Sequence, residues 1–149
     1  MNRNRRMRTS ALAAVFALAS GAAFAQAGAS LAPKTTPAGV VYVSGGVGNA
    51  QQQAMKDATK DYDLRMTFAR QQTGSYLASV KVTIDRTEGS GAGSLVLDTV
   101  SSGPMLFVKL PDGRYDVRAE VEGQVQTRTV NVRNGRGQDL VIHFPPKQS

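Results

Sequence analysis

Leu110-Pro111-Asp112-Gly113-Arg114-Tyr115-Asp116-Val117 reads as the end of one strand, a tight turn and the start of the next. Pro111 presets φ for the second position of a turn. Gly113 can take the positive φ that a turn needs without steric cost. Beyond it, Tyr115, Val117, Ala119 and Val121 alternate with Arg114, Asp116, Arg118 and Glu120. That is the two-residue period of a half-buried strand. The phase places Tyr115 in the core, where a buried hydroxyl needs a partner. The carbonyls of Leu110 and Pro111 lie just upstream. The spacing therefore predicts that the hydroxyl bonds back across the turn, the tyrosine corner of sandwich domains.

The same period extends in both directions. Tyr62, Leu64, Met66 and Phe68 alternate with polar or small residues, as do Val80, Val82 and Ile84. Leu95 and Leu97, residues 125–132, and Leu140, Ile142 and Phe144 carry further strands, and Val40-Val41-Tyr42-Val43 an early one. Residues 105–110 form a nearly unbroken apolar run, as expected of a strand buried on both faces or passing under a helix. Gly74, the Gly-rich residues 87–93, Glu122-Gly123-Gln124 and Asn134-Gly135 mark turns. Residues 50–60 are good helix formers, with Asn49 as the expected N-cap and Gln52 completing a capping box. Ala54, Met55, Ala58 and Tyr62 give that helix a thin apolar stripe. The chain is expected to be mainly β: a single antiparallel β-sandwich of about seven strands, with one short N-terminal helix near residues 49–61.

The first 25 residues read as an address. Arg3, Arg5, Arg6 and Arg8 precede an apolar run over residues 11–24, and Ala23-Phe24-Ala25 supplies small residues where a signal peptidase reads. The run falls short of the ~20 residues that span a bilayer. The expected organisation is a signal peptide over residues 1–25, a flexible leader over 26–39, the sandwich over 40–145 and a polar tail over 146–149. The expected location is the periplasm or the exterior. The formal charge of +7 owes four positive charges to that head; without them 14 Lys and Arg face 11 acids, or +3. This is too mild for a nucleic-acid surface. Cysteine is absent, which leaves no residue for a lipid anchor and none for disulfides. A mature chain of ~124 residues must be held by its core, which can bury roughly two-thirds of the unfolded surface.

The Leu-Pro-Asp-Gly-Arg-Tyr-Asp-Val stretch resembles the L-P-x-G-x-Y-x-V turn of prealbumin-like (transthyretin-like) sandwiches. These include the carboxypeptidase regulatory-like domains and the B-type repeats of bacterial surface proteins. The resemblance covers residues 62–144. Tyr42-Val43-Ser44-Gly45-Gly46-Val47-Gly48 with Tyr62-Asp63-Leu64 is also similar to small exported bacterial proteins of that regulatory-like class. The resemblance implies a non-catalytic module with a binding, scaffolding or folding role. It does not extend to hydroxyisourate hydrolysis, which in that family uses several histidines and a C-terminal Tyr-Arg-Gly-Ser. This chain has one histidine, His143, and ends Pro-Pro-Lys-Gln-Ser. Some B-type domains cross-link a Lys to an Asn beside a buried acid. Lys81, Asn131 and Glu120 or Asp98 could be cast in those parts, but Lys81 falls on the polar phase of its strand.

No motif assembles a catalytic or cofactor site. His143 lies on the phase opposite Ile142 and Phe144 and is expected to face solvent. One histidine without cysteines or clustered carboxylates makes no metal site. No G-x-S-x-G elbow occurs, and the glycines at 45–48 lack the Lys-Ser/Thr of a phosphate loop. No catalytic residue, cofactor or metal is expected. Arg114, Arg118 and Arg128 are the candidate partner face, interleaved with Asp116 and Glu120. The expected function is a non-catalytic exported module that binds a protein or envelope component. A hydrolase with a Ser-His site assembled only in space, and a purely structural envelope protein, stand as alternatives. Neither nucleic acid nor a membrane span after signal removal is expected.

Cleavage is expected between Ala25 and Gln26. N-terminal sequencing of the protein recovered from cells checks this, and an uncut chain in the membrane fraction would overturn it.

Overall fold

The computed structural model describes residues 31–133 and 136–147. The expected signal peptide, the first part of the expected leader, the turn expected at Asn134-Gly135 and the last two residues of the expected tail lie outside the described residues. Among the described residues there are nine strands: β1 (Lys34–Thr35), β2 (Val41–Gly45), β3 (Leu64–Arg70), β4 (Lys81–Arg86), β5 (Leu95–Val100), β6 (Met105–Val108), β7 (Gly113–Val121), β8 (Gln124–Val132) and β9 (Gln138–Phe144). They form two sheets, ordered β1-β2-β6-β3-β9 and β5-β4-β7-β8. One helix, α1 (Gly48–Asp57), is followed by a short 3-10 turn over Ala58–Asp61.

The inward residues of both sheets make the main core. Leu64, Met66, Phe68, Leu106, Val108, Ile142 and Phe144 of the first sheet meet Val82, Ile84, Leu97, Tyr115, Val117, Ala119, Val130 and Val132 of the second. A second core lies on the outer side of the first sheet. There Met55 of α1 is buried among Val43, Tyr62, Met105 and Phe107. A ten-residue helix is marginal alone in water, so this docking is what holds α1. Residues 105–108 alternate between the cores, Leu106 and Val108 inward, Met105 and Phe107 toward the helix. The strand is thus buried on both faces and passes under the helix.

Three expectations are corrected. The sandwich is not wholly antiparallel, because β9 runs parallel to β3, pairing Leu64 with Gln138 and Arg70 with Phe144. Side-chain period fixes which face a residue takes but not the direction of its neighbour. The strand count is nine, partly because Lys34 and Thr35, within the expected leader, pair with Tyr42 and Val41. The helix begins earlier than Asn49: Val47 is the N-cap and carries no side-chain cap. Gln51 Oε1 instead accepts the Val47 N–H at 3.1 Å.

The turn at 111–113 closes one end of the sandwich. Tyr115 is fully buried, and its hydroxyl donates to the Pro111 carbonyl at 2.7 Å. Burial pushes its pKa up, which keeps the hydroxyl a donor. Arg86 stands directly opposite Tyr115 on β4, on the inward phase. Its guanidinium carbon lies 5.6 Å from the Tyr115 ring centre. Nη2 donates to the Asp112 carbonyl at 2.9 Å and Nε to the Glu88 carbonyl at 3.0 Å. Gly113 has φ +155, and a Cβ there would sit 3.1 Å from Arg86 Nη2. Elsewhere Gly103 lets β2 and β6 meet, since its Cβ would fall 2.3 Å from the Gly45 carbonyl oxygen.

Arg65 on β3 forks onto Asp139 of β9, Nε at 2.6 Å and Nη2 at 3.0 Å, while Nη1 reaches the Thr59 carbonyl at 3.2 Å. The hydrogen bonds from Arg65 hold the Asp139 carboxyl below the ordinary aspartate range. The pair spans the parallel β3–β9 ladder and the turn after α1.

Tyr115→Phe is expected to cost on the order of 1 kcal/mol, one net hydrogen bond plus the Pro111 carbonyl left unpaired. Gly113→Val is expected to cost more, because strained φ and the Arg86 contact add. Chemical denaturation of both variants checks the order. A second expectation follows from the depressed Asp139 pKa. Stabilisation by the Asp139 carboxylate is complete above the unfolded-state pKa and is lost as pH falls through the lower folded-state value. Asp139→Asn should therefore lower the denaturation midpoint at neutral pH, and the gap to the wild type should close in acid. A gap independent of pH would contradict this.

Candidate interaction surfaces

The outer face of the second sheet can be laid out from its register. Val100, Lys81, Glu120 and Val125 stand side by side across β5, β4, β7 and β8, followed by the row Asp98, Thr83, Arg118 and Thr127. Asp85 and Asp116 then face each other, and Arg114 faces Asn131. Arg114 Nη1 is 2.6 Å from Glu88 Oε1, and Arg118 Nη2 is 3.8 Å from Glu120 Oε2. Asp116 accepts a hydrogen bond from the Thr129 hydroxyl at 2.7 Å. On these strands three cations (Lys81, Arg114, Arg118) meet four carboxylates (Asp85, Asp98, Asp116, Glu120). The face is mixed in charge and has no surplus of positive charge to draw an acidic partner. Lys81 is exposed and opposite Glu120, whereas Asn131 is opposite Arg114, six residues further along β7. At about 3.4 Å per residue, the Lys81–Asn131 cross-link is out of reach.

Arg128 does not belong to that face. It stands opposite Val117, a core residue, and shares its phase with the buried Val130 and Val132. Arg114 and Arg118 lie on the other side of the sheet. The signal was present in the sequence: Val125 and the pair Val130, Val132 fall on opposite phases, and the register with β7 decides for the pair. An arginine can occupy an inward position here because β8 is an edge strand, and a long stem can carry its charged head to the rim.

That rim is where β8 and β9, the last strands of their sheets, run past each other. Gln71, Gln126, Arg128, His143 and Pro145 line a hollow of about 390 Å³ there. His143 is exposed, on the outward phase of β9 opposite Ala69. Among the described residues, neither a serine nor a carboxylate lines the hollow. Arg128 Nη1 donates to the Thr127 carbonyl at 2.8 Å and to Gln126 Oε1 at 3.4 Å. Sequence reading considered His143 and Arg128 separately, and only the packing of the two sheets brings them to one place.

The remaining edges differ in how they are guarded. β5 is met by the β1–β2 hairpin: the Thr36 hydroxyl donates to the Val96 carbonyl at 3.1 Å, and the Thr99 hydroxyl to Tyr42 Oη at 3.2 Å. A second hollow, of about 320 Å³, opens between that hairpin and β5. β1 is two residues long. β8 is nine residues long and pairs with β7 alone. Among the described residues, no cluster of three or more His, Cys, Asp or Glu could hold a metal ion, and no helix is long and apolar enough to cross a membrane. No protein-family model matches the chain, and no match is found among curated proteins.

Proposed function

We propose that this chain is a non-catalytic, exported β-sandwich module that binds a protein or envelope component by strand addition along β8. The observation that carries this reading is the β8 edge itself. Gln124–Val132 presents nine residues with no proline and one charge, and five of them are exposed. Edge strands that avoid pairing are usually short, bulged, covered or studded with charge. β1 and β5 follow that rule, the first by its length and the second by its hairpin cover, and β8 does not. Main-chain groups of an unpaired edge supply affinity to an extended segment, and alternate side chains supply selectivity. The resemblance to regulatory-like sandwiches points the same way. The described lining of the His143 hollow, which brings neither nucleophile nor carboxylate, supports a role other than hydrolysis.

The test is capture of partners from a cell-envelope extract, quantified by mass spectrometry. Val125→Lys with Thr127→Lys places charge along β8 and should reduce recovery of the captured protein at least about tenfold, as edge lysines oppose strand addition. Arg118→Glu, on the outer face, should leave it unchanged. Equal loss with Arg118→Glu would move the interface to that face.

A further inference from the structure

The geometry points to the hollow between β8 and β9 as an anion-binding site, in which Arg128 and His143 take a carboxylate or phosphate group. Four strand arginines already hold an acid: Arg65 holds Asp139, Arg70 holds Glu122, Arg114 holds Glu88 and Arg118 lies beside Glu120. Arg86 spends its nitrogens on the Asp112 and Glu88 carbonyls and on Tyr115. Arg128 differs. Its Nη1 is turned to Gln126 and to the Thr127 carbonyl, and among the described residues Nε and Nη2 have no partner.

The other walls suit the same ligand. Gln71 and Gln126 bring side-chain amides, which can donate to an oxyanion. His143 brings a ring that donates from one nitrogen when neutral and from both when protonated. Among the described residues no carboxylate lines the hollow, so none of these walls repels an anion or offers a ligand to a cation. Glu122, the acid at the β7–β8 turn, is already engaged by Arg70, which also donates to the Pro145 carbonyl at 2.8 Å. A planar guanidinium with two open donors matches a carboxylate or phosphate edge in bidentate fashion. The hollow lies open at the rim, so the group could belong to a free small anion or to an acidic residue carried by a larger chain. The site does not depend on β8 as a strand-addition edge, and loss of that reading would leave it standing.

The chain contains a single histidine, so its imidazole resonances report this site without ambiguity. Purified protein is titrated with inorganic phosphate, with acetate and with a short peptide ending in aspartate, each against sodium chloride at matched ionic strength. Saturable movement of the His143 ring signals is expected with at least one of them. Arg128→Gln should weaken it about tenfold, the loss of a charge-assisted bidentate contact. Gln126→Glu, which puts a carboxylate into the hollow, should weaken it as well, and Arg118→Gln should have no effect. A peptide constant at least tenfold below that of acetate identifies a chain-borne carboxylate as the ligand; comparable constants, or phosphate tightest, identify a small free anion. Drift indistinguishable from chloride with all three probes overturns the site. So does saturation that is unchanged in both Arg128→Gln and Gln126→Glu.

Discussion

Every layer of this protein is referred to β6. Its four residues are all buried, and they serve two cores in alternation. Leu106 and Val108 complete the sandwich, while Met105 and Phe107 form the floor on which α1 rests. A strand with one wet face could not do this. Its neighbours in the sheet follow from that demand: β2 and β3 flank it, and Val43 and Tyr62 extend the floor on either side. Gly103, just before β6, is small because the strand must approach the Gly45 backbone there. A Cβ at that point would have to displace main chain rather than a flexible side chain. The β2–β6 pairing, with Gly45 opposite Met105, lies beside this contact.

Arginines close the sandwich at both ends, and each sits on the inward phase of its strand. Arg86 follows Val82 and Ile84 on β4 and folds over Tyr115 and the 111–113 turn. Arg70 follows Met66 and Phe68 on β3 and reaches Glu122, Gln124 and the Pro145 carbonyl. An apolar residue in either position would have covered the core but left the Asp112 and Glu88 carbonyls, or the Pro145 carbonyl, without these donors. The arginine stem covers apolar surface while its head satisfies those carbonyls. Arg86 acts through neutral acceptors, two carbonyls and the Tyr115 hydroxyl, whereas Arg70 combines a carbonyl with a side-chain amide and the Glu122 carboxylate.

The parts legible in the sequence were those governed by one period or one turn. The alternation through Tyr115, Val117, Ala119 and Val121 gave a strand and its buried face, and Pro111 with Gly113 gave the turn that the tyrosine hydroxyl meets. The unbroken run at residues 105–110 showed that β6 has no wet side. What stayed hidden depends on pieces distant in the chain. The β3–β9 pair is parallel because the chain crosses between sheets after β8, and nothing in either strand's alternation records its neighbour's direction. Arg86 and Arg70 look like ordinary strand ends until the opposing turn is in place. The phase of Arg128 was readable from Val130 and Val132, but the competing Val125 pointed the other way, and pairing with Val117 decides between them. Candidate-site residues were therefore less legible than the fold, because the hollow is made by the rims of two sheets.

The distribution of cover leaves that rim as the open side of the sandwich. The outer face of the first sheet carries α1 over its β2–β6 side. The outer face of the second sheet is mixed in charge, three cations among four carboxylates, with Arg114 on Glu88 and Arg118 beside Glu120. One lateral edge is crossed by the β1–β2 hairpin at Thr36 and Tyr42. The two ends are closed by Arg86 and Arg70. The β8–β9 side has none of these devices over its middle. There the first half of β8 turns Gln124, Gln126 and Arg128 toward the seam, at positions that hydrophobic residues occupy in its second half, Val130 and Val132. Among the described residues Nε and Nη2 of Arg128 have no partner, and burying an unpaired polar group costs on the order of 1–3 kcal/mol, more when it is charged, so the seam at Arg128 does not close dry over itself. It stays open to water, or to a ligand that replaces water with better-placed oxygens.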